Sequence, residues 1–199
     1  MGVILEGNFI SVANSSNSLE KNQKEEKYIE YIEKHRQGVM DSYEKYFRPL
    51  IGQELDLKTC SNDDFQQALQ LCVNNISEHD MSKYSDEEFQ PYRLKFYPTV
   101  DEAEALKDSD VFNQMIENFG EAWKHHYKFN PHHPKHWIQP DGTILDMELR
   151  YIIEMMCDWL SFGDDIRKWY LTAERERAEM SPKTKEIVEE LMELIYTKQ

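Results

Sequence analysis

An imidazole and a carboxylate stand side by side at His79-Asp80, with an ammonium group three residues on at Lys83. Neutral imidazole and ionised carboxylate are the ligands that borderline and hard divalent cations accept. One such pair arises easily by chance, so its weight comes from elsewhere in the chain. His35 lies far upstream, the tandem His125-His126 downstream, and Asp158 beyond that. Together they read as one buried metal site built from several helices, with His35, His79, Asp80, His126 and Asp158 as ligands.

The apolar periodicity says which elements must carry them. From about Glu20 a long helix is predicted, with Ile29, Ile32, Val39, Met40, Tyr43, Tyr46 and Phe47 at three- and four-residue steps. His35 falls on that face, flanked toward solvent by Lys34 and Arg36. Ser61 followed by Asp64 is a helix start. The next helix buries Phe65, Leu69, Cys72 and Ile76, and His79 is the next member of that series. Ser85-Asp86-Glu87-Glu88 starts a short amphipathic piece ending at Pro98. Asp110 is read as the cap of a third major helix carrying Phe112, Met115, Ile116, Phe119, Ala122 and Trp123. His126 continues this stripe, and His125 lies about 100° round the helix. A rigid loop with His132, His133 and His136 follows. A fourth helix from about Asp146 is apolar almost all round, so it should be central. It carries Glu154 and Asp158 one turn apart. A short piece with Trp169-Tyr170 and a last helix after Ser181-Pro182, with Ile187, Val188, Leu191, Met192 and Ile195 inward, complete the chain. The fold class is all-α, with residues 1–20 as a flexible leader and 21–199 as the metal-binding domain.

Composition narrows the function. The chain has 199 residues and a net charge of −15. Such a charge argues against a broad phosphate-binding surface for long nucleic acid. At 40% hydrophobic and 12% aromatic residues a packed core is expected. Cys60, Cys72 and Cys157 show no CxxC spacing, which suits a reducing cytoplasm better than a disulfide framework. The opening Met1–Glu6 is too short and weakly apolar for a signal peptide, and Glu6 stands where a myristoylation motif wants Ser or Thr. A short apolar tether at Val3–Leu5 and no membrane span are expected; the oligomeric state is left open.

Each residue also has a plainer use. A lone inward His is often a hydrogen-bonded core residue. Asp80 suits a helix exit, Asp158 suits an ion pair with Arg150 or Arg167, and the histidine loop suits solvent. Several helices each placing a histidine at the inward end of an apolar stripe are explained together by one cation, which also offsets the buried carboxylates.

The order His35, His79-Asp80, Asp158 on helices resembles the HD-domain superfamily of metal-dependent phosphohydrolases. That resemblance implies a single-domain helical bundle in which these four residues bind one metal. His125-His126 resembles the extra pair of binuclear members, and His79-Asp80-Met81-Ser82-Lys83 resembles the His-Asp-x-x-Lys of the cyclic-dinucleotide phosphodiesterase branch. The Gly-Tyr-Pro signature of that branch is absent after His126. The nucleotidase branch has an acid where this chain has Lys83. More closely, His79–Pro98, Ala122–Trp137 and Glu154–Trp159, with Trp169-Tyr170, are similar to an uncharacterised family of bacteria and phages.

The resemblance implies hydrolysis of a nucleotide or other small phosphate ester, using one or two divalent ions (Mn, Mg, Co, Zn or Fe). Asp80 and Lys83 are the catalytic candidates, Lys83 by stabilising transition-state charge. Lys83, Arg93, His125, His132, His133 and His136 are candidates to bind substrate. Glu154 is left open between ligand, acid and supporting partner. The alternatives are a non-enzymatic, metal-stabilised protein binding a host protein or nucleotide, and an HD-like di-iron oxygenase.

Overall fold

The computed structural model describes residues 6–163 and 165–197. The chain is 74% helical, as the periodicity predicts. Among the described residues, extended pairing is confined to one isolated bridge between Ile138 and Ile144. No helix among them is long and apolar enough to cross a membrane. The apolar tether read at Val3–Leu5 lies outside the described residues.

The helices gather into two compact units. One comprises the chain up to Glu33 with Ser82–His126; the other comprises Lys34–Met81 with the chain from Tyr127 onward. Helix α1 (Glu6–Ser42) contributes its beginning to the first and its end to the second. It starts well before Glu20, so the polar residues expected to form a leader are helical from Glu6. Once a helix is nucleated, each added residue gains a backbone hydrogen bond for little further cost, so an Asn/Ser-rich stretch can extend it.

In the first unit, α3 (Phe89–Phe96), α4 (Val100–Ala105) and most of α5 (Ser109–Phe129) accompany α1. Tyr28, Ile32, Tyr92 and Ala122 form its small core. Thr99 and Glu102 close a reciprocal capping box on α4. The cap of α5 is Asp108, not Asp110: its Oδ1 accepts from the Asp110 and Val111 backbone N–H groups at 2.9 and 3.2 Å. Met115, Ala122 and His126 are buried on α5, whereas Phe112 and Ile116 are 45% and 43% exposed.

The second unit is built around α6 (Leu149–Ser161), where Ile152, Ile153, Met155, Met156 and Cys157 are buried as its sequence requires. It packs along α2 (Asn62–Ser77), which presents Phe65, Leu69, Cys72 and Ile76. Ser61 caps α2 by accepting from the Asp64 N–H at 3.1 Å. Two short helices, α7 (Ile166–Thr172) and α8 (Glu174–Ala178), lead to α9 (Pro182–Thr197). Ile187, Val188, Leu191, Met192 and Ile195 of α9 join the same core. The three cysteines are free thiols.

Shortening a fully buried α6 side chain should therefore weaken the whole second unit. Ile153→Ala is expected to cost about 2–5 kcal/mol, against less than about 1 kcal/mol for Ile116→Ala, measured as shifts in urea unfolding midpoint.

Candidate metal centre

Helix α1 delivers His35 through a buried stripe of Tyr28, Ile32, His35 and Val39, at four-, three- and four-residue steps. Ile29, expected inward, is 39% exposed, because Tyr28 occupies that side. Gly38 allows α1 to approach the end of α6: a Cβ there would lie 3.3 Å from that of Ser161. Ser161 Oγ donates to the Asp158 carbonyl at 2.6 Å and therefore accepts from His35 Nδ1–H at 3.2 Å. This fixes the tautomer of His35, with its lone pair on Nε2.

Helix α2 ends at Ser77, just before the dyad. Asp80 has φ of +57°, a left-handed conformation that Asp tolerates better than most side chains. In a continuing helix, adjacent side chains diverge by about 100°. Here the backbone reverses, and His79 and Asp80 are both buried. Arg36, expected to point to solvent, instead clamps this exit. Its Nε donates to the His79 carbonyl at 3.0 Å and an η-nitrogen donates to the Ser77 carbonyl at 2.7 Å.

Donor atoms gather around two imidazole nitrogens as a result. His79 Nδ1–H donates to Glu154 Oε1 at 2.9 Å, leaving its lone pair on Nε2. That atom faces His35 Nε2 at 3.3 Å. Asp158 Oδ1 lies 3.1 Å from His35 Nε2 and 3.8 Å from His79 Nε2. Asp80 Oδ2 lies 3.6 Å from each of the two. Two lone pairs facing each other, with a carboxylate oxygen beside them from each of Asp80 and Asp158, repel one another unless a proton or cation lies among them. Adjacent donors on a metal with bonds of about 2.0–2.2 Å lie about 3.0–3.5 Å apart. The observed separations begin in that range and end slightly above it, and the buried groups His35, His79, Asp80 and His79, His132, Asp158 could each hold a metal ion.

The chain belongs to DUF5662, a family of unknown function. The family model matches residues 24–194, which include every residue of this centre. Comparison with curated proteins and with solved structures gives no match.

The centre of this DUF5662 member includes two further side chains. His132, expected on a substrate-gripping loop, is 1% exposed. Its Nε2 lies 3.7 Å from Asp80 Oδ1, and its Nδ1 lies 3.1 Å from the same Glu154 oxygen that holds His79. Candidate ligand atoms of His79, His132 and Asp158 lie within 4.8 Å of one another, as do those of Asp80, His132 and His133. Glu154 thus stands beside two imidazoles and orients His79 through its hydrogen bond. The sequence reading named His132 only as a substrate contact, because a loop has no period that would point it inward. His136 is separate: its Nδ1–H donates to the Tyr127 carbonyl at 3.0 Å.

Electrostatics follows from this packing. Burial opposes ionisation of Glu154, but His132 and His79 outweigh it and hold the carboxyl down at about 2. Burial likewise opposes ionisation of Asp158, and His35, His79 and His132 bring it well below the usual range. Burial disfavours charge on His79, yet Asp80, Glu154 and Asp158 raise its pKa above the ordinary 6.5.

The remaining candidates lie in the first unit. Glu88, fully buried, holds His125 Nδ1 at 2.7 Å and His126 Nδ1 at 2.8 Å with its two oxygens. Burial raises the Glu88 pKa, but the two imidazoles pull it below its usual value. The sequence marked Glu88 only as part of a helix start. Arg93, expected to grip substrate, is buried in a forked pair with Glu102, one arm at 2.7 Å. Lys83 is also buried, its ammonium 5.9 Å from the centre of the Tyr92 ring.

Two outcomes are expected. Glu154→Gln should keep the helical circular dichroism but weaken Mn²⁺ binding by about 10–100-fold in calorimetric titration, because the histidine orientation is lost. Without metal, protonation of His79 stabilises the fold below about pH 6.5, and that stability is lost as pH rises through its raised folded-state pKa. The contribution of ionised Glu154 is present above about 4.5 and is lost as pH falls toward 2. Chelator-treated protein should therefore melt lower at pH 8 than at pH 6, measured by thermal circular dichroism. Saturating Mn²⁺ should raise melting more at pH 8, because the ion needs neutral imidazole.

Proposed function

We propose that this protein is a metal-dependent phosphohydrolase acting on a nucleotide or other small phosphate ester. His35, His79, Asp80 and Asp158 would hold the cation. The observation that carries this reading is the convergence of two tautomer-fixed imidazoles on two carboxylate oxygens at 3.1–3.8 Å. Their chain order is that of the HD-domain pattern, which supports hydrolysis as the class.

A bound divalent ion would lower the pKa of a coordinated water and draw charge from a phosphoryl oxygen. The chain's own part is orientation. Ser161 and Glu154 each accept an Nδ1–H and turn an Nε2 lone pair inward. Asp80 offers Oδ2 toward His35 and His79 and Oδ1 toward His132, which suits one ion or two. Arg36 holds the backbone from which both members of the dyad project. Free thiols and the absence of a membrane-crossing helix among the described residues agree with a cytoplasmic setting.

A second reading rests on depth. His79 and Asp80 are 1% and 2% exposed, as they would be around an ion that only braces the fold of a binding protein. Metal quantification and a screen of nucleotides and phosphate esters separate the two. Purified protein should carry stoichiometric metal and cleave at least one ester, with loss of activity in chelator. His79→Ala should lose the metal and more than about a hundredfold in rate, beyond what outer partners usually cost. Undiminished cleavage by His79→Ala would defeat the hydrolase reading. Retained metal with no cleavage of any ester would favour the bracing ion.

A further inference from the structure

The metal centre leaves Trp169-Tyr170 of α7 without a role. The two neighbours have different surroundings. Tyr170 is buried, and its hydroxyl donates to Glu189 Oε1 at 3.0 Å, so it ties α7 to α9. Trp169 is 38% exposed and stacks on Phe162, which follows the end of α6 and is 58% exposed. Their ring centres lie 6.0 Å apart and their planes within 19°. Phe162 also stacks on the imidazole of His35, at 5.0 Å and 26°. Three rings in series thus lead from the surface of the second unit to a candidate ligand of the cation.

Phe162 and Trp169 border a cavity of about 340 Å³, a size usual for small-ligand sites, which Trp159, Lys168 and Thr172 also line. Large rings left side by side in water forgo the gain of burial, and a flat ligand laid on them would recover it. An indole has a wide stacking face, and every nucleobase has a π-face to meet it, whereas a sugar has none. The polar lining suits the edge of a base, which carries both acceptors and donors. The Lys168 ammonium can only donate. The Thr172 hydroxyl donates its proton to the Lys168 and Trp169 carbonyls, at 3.1 and 3.0 Å, so lone pairs are what it has left to offer.

We propose that this cavity is a base-binding subsite: the planar base of a nucleotide stacks on Trp169 beside Phe162, and Lys168 and Thr172 bond to its edge. Beyond Phe162 lies the centre at which the phosphate of the same molecule would meet the cation. The stacking stands on the cavity alone; that the bound nucleotide is also the substrate rests on the hydrolase reading.

The test is calorimetric titration of the full chain in chelator, with tryptophan emission read alongside. The probes are adenosine, inosine, cytidine, uridine and ribose. At least one nucleoside should bind at least about tenfold more tightly than ribose and quench the emission. Trp169→Leu keeps apolar bulk without the ring; it should weaken that nucleoside about fivefold or more. Trp169→Phe restores a ring and should recover most of the loss. Circular dichroism verifies that both variants fold. A wild-type protein that binds no nucleoside at millimolar concentration, or none more tightly than ribose, would overturn the proposal. So would a folded Trp169→Leu protein that binds like wild type. These arms involve no metal and no cleavage, so they decide the cavity apart from the hydrolase reading. Cleavage of ribose 5-phosphate as readily as the monophosphate of the bound nucleoside by Mn²⁺-loaded protein would defeat the subsite while sparing that reading.

Discussion

The hydrogen bond from His79 Nδ1–H to Glu154 at 2.9 Å is the contact on which the candidate centre depends. It joins the exit of α2 to the middle of α6 and decides which nitrogen of His79 keeps a lone pair. The same carboxylate oxygen lies 3.1 Å from His132, so one acid sits beside two imidazoles from different parts of the chain. Replacing such an oxygen by an apolar group would leave buried N–H groups without an acceptor, a costly state in a low-dielectric interior. Glu88 in the first unit repeats the device, with one buried carboxylate holding His125 and His126.

The apolar core makes this placement affordable. The packing of α2 along α6 buries Phe65, Leu69, Cys72 and Ile76 against Ile152, Ile153 and Met156. Those contacts hold the polar groups at the helix ends where they must meet. A left-handed residue costs most side chains about 1–2 kcal/mol, and the turn at Asp80 accepts part of that so that two adjacent side chains face inward together. Arg36 answers the unpaired carbonyls of the α2 terminus, and a guanidinium at a helix C-terminus also complements its dipole. Gly38 permits the close approach through which Ser161 orients His35.

The regular part of this arrangement was legible from residue types alone. The stripes of α2 and α9 have the steps of a helix, and their predicted inward residues are buried. His79 could be placed because it continues such a stripe past the helix end. Periodicity failed where the backbone stops being periodic. It placed the α5 cap at Asp110 rather than Asp108, and it set Ile29 inward where Tyr28 packs. It also left His132 on a loop read as gripping substrate, although that side chain is buried with its Nδ1 3.1 Å from Glu154.

The amino-acid order by itself determined an all-helical chain and most of its core. It also singled out His35, His79, Asp80 and Asp158, because helical spacing is a local property carried by each segment. Only the tertiary structure decided which atoms of these side chains face one another. That choice rests on hydrogen bonds between residues far apart in sequence: Ser161 with His35, Glu154 with His79, and Arg36 with the α2 terminus. No local pattern encodes a partner 126 or 75 residues away, so the tautomers and the convergence of lone pairs emerge only once α1, α2 and α6 have packed.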